Sequence, residues 1–103
     1  MKPDDLLALA RSLQTDDYAL MSAKNHDYAG DADALANLRA FGFYGVVVRL
    51  SDKFARLQNF AKRRERGGDD LLKVKDESIR DTLRDIRVYG ILAEAMLNEE
   101  EEQ

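Results

Sequence analysis

Glu77, Asp81 and Asp85 recur at steps of four. On a helix they share one face, so three carboxylates stand in a row and can offer oxygen ligands to a divalent cation. At 100° per residue the same row runs on into Val88, Leu92 and Ala95. A face that begins as carboxylates therefore ends as core, which directs the acids into a cleft or an interface. The plainer alternative is an amphipathic helix whose acidic first turn suits the helix dipole. A second row lies upstream, where Arg49, Lys53 and Arg56 share a face with Asp52 at its edge. Close cations repel at helical spacing, and the cost falls if an anion lies opposite: the acidic row, or a phosphate. The alternative is a solvated ladder of Arg49, Asp52 and Arg56. A third group, Lys24, Asp27 and Tyr28, falls at spacings of three and four before Gly30. It reads either as one functional helical turn or as a polar helix exit. His26 is the one histidine and reads as a surface residue rather than a metal ligand.

These rows need helices to position them. In the last long segment, Val74 to Asn98, Ile79, Leu83, Ile86, Gly90, Ala93 and Leu97 make an apolar stripe. In Gly45 to Arg66, Val46 to Val48 taken alone suggest a strand. The continuation Val47, Leu50, Phe54, Leu57 and Ala61 keeps helical spacing and overrides that reading. Pro3 to Ala23 starts with Pro3, Asp4 and Asp5, suited to a first turn, and carries Leu6, Leu9, Ala10 and Leu13 as a stripe. Thr15, Asp16 and Asp17 look like a fresh N-cap, giving two helices or one kinked helix. Asp33 to Ala40 reads as a short helix capped by Asp31 or Asp33, with Leu35 and Leu38 inward and Gly42 closing it. Phe41, Phe43 and Tyr44 around that corner read as a core plug, with a base-stacking platform as the alternative. Lys62, Arg63, Arg64 and Arg66 before Gly67-Gly68 are ordinary helix-end punctuation.

The expected fold is all-α: a small bundle of three main helices near 4–25, 44–66 and 75–98, with a short one near 33–40. A single domain covers residues 1–98. Residues 99–103 form an acidic tail expected to be disordered, since anions fray a helix C-terminus. The last helix is apolar on both Ile86/Gly90/Ala93 and Val88/Leu92/Ala95, so a homodimer is expected to complete the bundle.

Composition sets outer bounds. With 103 residues the chain can bury a core, but with little margin. There is no cysteine, which excludes disulfides and thiolate chemistry. A net charge of −4 argues against direct nucleic-acid binding. No apolar run suffices for a membrane span, and MKPDD lacks a signal-peptide core, so a cytoplasmic location is expected. No phosphate-binding glycine loop, dinucleotide fingerprint, nucleophile elbow or zinc spacing occurs.

The blocks KNHDYAG at 24–30, ANLRAFG at 36–42, RLSDKFARL at 49–57 and VKDESIRDTLRDIRVYGIL at 74–92, in that order, resemble the nucleotide modification associated domain 1 family. The resemblance covers roughly residues 17–97. That family is all-α, common in bacteriophages, and associated with nucleotide and modified-base metabolism; it implies a host cytoplasm if the chain is phage-encoded. A more distant similarity is to the MazG-like all-α nucleoside triphosphate pyrophosphohydrolases, which bind Mg²⁺ through Glu-Glu-x-x-Glu and Glu-x-x-Asp motifs. Here Glu77-x-x-x-Asp81 departs by one residue, and Arg49, Asp52, Lys53 and Arg56 stand where the first motif would be.

What the residues and the resemblance together imply is a nucleotide- or deoxynucleotide-binding domain. Lys24, Arg49, Lys53 and Arg56 would neutralise phosphate, and Tyr28, Phe41 or Tyr44 would stack the base. Asp27, Asp52, Glu77, Asp81 and Asp85 would be drawn on for Mg²⁺. If the ligand is hydrolysed, the metal would polarise the phosphoryl group and position a water. Two alternatives stay open: a non-catalytic nucleotide-sequestering module, and a helical interaction protein whose acidic and basic rows pair with each other.

Overall fold

The computed structural model describes residues 1–28, 33–67 and 76–102, and their side chains except those of 25–28, 76 and 77. The chain is all-α. Its helices are α1 (Pro3–Tyr28), α2 (Ala36–Arg39), α3 (Gly42–Glu65) and α4 (Asp76–Glu102). No strand occurs among the described residues, and none of the described helices is long and apolar enough to cross a membrane. The chain divides into two compact units, Met1–Ala36 and Asn37–Gln103, where one domain over 1–98 was expected.

In the first unit, Pro3 occupies the first helical position of α1. The backbone N–H of Lys2 donates to the Asp5 carboxylate at 3.2 Å, one half of a capping box. The helix runs unbroken through Thr15–Asp17, so the expected second start is not made. The Thr15 hydroxyl instead donates back to the Arg11 carbonyl at 2.9 Å, the bond a threonine inside a continuous helix makes to the preceding turn. Asp17 is buried. Asp33 does cap the next turn: its carboxylate accepts the Leu35 N–H at 3.1 Å, and Leu35 is buried.

The second unit is built on α3 and α4. Gly42, at φ 69, takes the left-handed conformation that separates α2 from α3, and α3 begins there, three residues earlier than Gly45. Phe41, Phe43 and Tyr44 do not form the expected core plug; they are 71%, 38% and 77% exposed. Gly45 has a packing reason, since a Cβ there would lie 2.6 Å from the Phe41 Cβ. Val46 is fully buried while Val47 and Val48 are exposed, the outcome of a helical rather than a strand period.

α3 and α4 run antiparallel: Lys53 meets Asp85, Arg49 meets Tyr89, and Phe43 lies near Met96. Among the described residues, Val46, Ile79 and Met96 are the buried hydrophobics of this unit. Thr82 is buried among the helices and its hydroxyl donates to the Ser78 carbonyl at 3.1 Å. Of the predicted α4 stripe, Ile79 is buried but Leu83 and Leu97 are exposed. The expected disordered tail is corrected: α4 continues through Glu102. The reason is Arg39, whose guanidinium donates to both oxygens of Glu99 at 2.7 and 2.6 Å and offsets the charge that would fray the helix.

Candidate functional site

The seam between α3 and α4 brings together Arg49, Lys53 and Asp85 of the residues picked out by charge. Arg49, Lys53 and Arg56 stand along α3 at steps of four and three. Lys53 Nζ lies 3.0 Å from Asp85 Oδ2, with side chains only 19% and 24% exposed. Partial burial removes water from both ends, so the pair attracts more strongly than a surface pair, and losing either partner strands a charge. One turn away, Arg49 donates to the Tyr89 hydroxyl at 3.2 Å, and its guanidinium carbon stands 6.0 Å from the centre of the Tyr89 ring. Arg56 meets Asp52 within α3 at 3.9 Å, both largely exposed, so that contact contributes little.

The acidic row of α4 splits. Asp85 faces the seam. Asp81, four residues earlier, is more exposed and contacts Arg84 at 3.4 Å. Arg84 also reaches Asp85 at 3.8 Å, so Asp85 has a cation on either side. The Arg84 Nε is buried and finds no acceptor among the described residues.

The expected Mg²⁺ ligands do not assemble among the described residues: no group of three or more acidic or histidine side chains comes together. Asp52, Asp81 and Asp85 each contact a cation instead. The carboxylate lone pairs a metal would use are thus turned to ammonium and guanidinium groups, and the described set does not fit the ion. The side chains of Asp27, Tyr28 and Glu77 lie outside the described residues. Lys24 is exposed in the first unit.

Three site features were not anticipated. Tyr89 and Arg84 join the charged network, although Tyr89 lies one turn beyond Asp85, as Arg49 lies one turn before Lys53 in the opposite direction. Arg63, taken for helix-end punctuation, lines a cleft at the end of the seam. The spacing of Arg56, Asn59 and Arg63 at three and four was the available signal for that cleft.

No family model, curated protein or solved structure matches the chain.

Proposed function

We propose that the chain is a helical nucleotide-binding module that holds its ligand rather than hydrolysing it. The observation that carries this reading is the charge imbalance of the α3–α4 seam. Three cations on α3 meet two carboxylates among the described residues, Asp85 of α4 and Asp52 of α3 itself, and Arg49 meets only the phenol of Tyr89. The remaining positive charge is matched by an anion with several oxygens, and arginine binds phosphate through two parallel hydrogen bonds. The motif resemblance to the nucleotide modification associated domain 1 family points to the same ligand class. The sequestering alternative is preferred to hydrolysis because Asp81 and Asp85 are engaged by cations. The test is a thermal-shift series with nucleoside mono-, di- and triphosphates, each with and without Mg²⁺. Binding to the folded state raises the melting temperature, by an amount that grows with the logarithm of ligand concentration above Kd. The expected result is a shift that does not need Mg²⁺. No shift with any nucleotide overturns the reading, and a shift only with Mg²⁺ returns it to the metal-dependent form.

A second reading, a helical interaction protein, is favoured by an open apolar groove on α3 and α4 lined by Val47, Leu50, Phe54 and Ile86. Apolar side chains left open on a small domain mark surfaces for other proteins. Self-association into a dimer is its simplest form, and a monomeric mass by light scattering at micromolar concentration counts against that form.

A further inference from the structure

Near the C-terminal end of α3 and the start of α4, the helices part around a cleft of about 200 Å³. Arg56, Asn59 and Arg63 line it from α3, Ser78 from α4, and Phe60 and Ile79 give it an apolar wall. The polar side chains of this cleft are short of partners. Arg56 has its contact with Asp52 only at 3.9 Å, too long for a hydrogen bond. Neither Arg63, Asn59 nor Ser78 makes a side-chain hydrogen bond or ion pair with a described residue. The Thr82 hydroxyl is already committed to the Ser78 carbonyl. No carboxylate lines the cleft among the described residues.

Each of the two guanidiniums brings five N–H donors and no acceptor. An amide and a hydroxyl add further donors. A group that satisfies such a set carries negative charge and several acceptor oxygens. Phosphate does so, taking paired hydrogen bonds from each arginine. Ile79 is already buried, but a bare inorganic anion would leave the half-buried ring of Phe60 uncovered on the cleft side. An organic group attached to the phosphate would cover it.

We propose that this cleft binds the phosphate of a small organic phosphate, with Arg56 and Arg63 on the phosphate, Asn59 and Ser78 completing its hydrogen bonds, and Phe60 against the organic part. The proposal deepens the nucleotide-binding reading and rests on it only for the identity of that organic part. It moves the phosphate from the Arg49–Lys53 stretch, where both cations have partners across the seam, to the end where the donors are open.

The test is calorimetric titration of the full chain, at low salt, with inorganic phosphate, phenyl phosphate and a nucleoside monophosphate. The cleft variant is the double substitution Arg56→Gln/Arg63→Gln. The charge-matched control is Lys62→Gln/Arg66→Gln, two exposed cations outside the cleft. Circular dichroism checks that both variants keep the parent's helix content. Phenyl phosphate is expected to bind the parent more tightly than inorganic phosphate does. The cleft variant should lose about tenfold or more for both, as expected for lost charge-assisted hydrogen bonds, while the control stays within about twofold. Absence of phosphate binding by the parent, or equal losses in the two variants, overturns the proposal. If the nucleotide binds parent and cleft variant alike, the cleft assignment fails and the nucleotide-binding reading stands. If the two simple phosphates bind in the cleft and nucleotides do not bind at all, the nucleotide-binding reading fails and the cleft stands.

Discussion

The Arg39 guanidinium holds both carboxylate oxygens of Glu99, sixty positions away in the chain, at 2.7 and 2.6 Å. This fork ties the turn before α3 to the last stretch of α4. Four glutamates close α4, at the end where the helix dipole disfavours negative charge. Arg39→Ala is therefore expected to fray residues 99–102. Amide hydrogen exchange should show lost protection there, with protection in the middle of α4 unchanged. Both side chains are more than a third exposed, so global stability should fall by only about 1 kcal/mol. Unchanged protection at 99–102 would show that the fork does not hold the tail.

Lys53 and Asp85 present the opposite balance, a pair shielded from water in the middle of the seam. A double-mutant cycle with Lys53→Ala and Asp85→Ala is expected to give a coupling of about 1–2 kcal/mol, between the surface and fully buried ranges. The exposed pair of Asp52 and Arg56 should give less than about 0.5 kcal/mol in the same measurement. Raising the salt concentration should erode the Asp52–Arg56 coupling first, because screening acts mainly on solvent-exposed charges. Equal couplings for the two pairs would contradict the burial argument.

Gly45 and Gly90 make a matched test, since both lie inside helices but differ in surroundings. In a helix, alanine is favoured over glycine by about 1 kcal/mol. At Gly90 nothing lies within 4 Å of an added Cβ, so Gly90→Ala should stabilise by about 0.5–1 kcal/mol. At Gly45 the new atom would meet the Phe41 Cβ at 2.6 Å, and that atom cannot move without the backbone. The strain, about 1–3 kcal/mol for overpacking, should outweigh the propensity gain, so Gly45→Ala should lower stability. Chemical denaturation of the two variants gives the signs directly. A stabilised Gly45→Ala would show that the Phe41 turn yields easily. A destabilised Gly90→Ala would reveal a close packing partner on that face of α4.

The local pattern by itself determined that the chain is helical and where its main breaks fall. Periodicity, caps and glycines act over a few residues, so they are legible without any partner. Pro3 and Asp5 open α1, Asp33 caps the turn before α2, and Gly42 takes the left-handed turn. The helical reading of Val46 to Val48 rested on the residues that follow them, and Val46 is buried while Val48 is not. The pairing of charges across the seam was decided by tertiary structure alone. Asp81 and Asp85 are alike in the sequence, one helical turn apart, yet only Asp85 meets α3. The antiparallel register sets that difference by bringing position 53 to 85 and position 49 to 89. Spacing within one helix carries no information about its register against another. The same limit hid Arg39 from Glu99, so a tail that local charge would fray is helical because a cation from a distant turn reaches it.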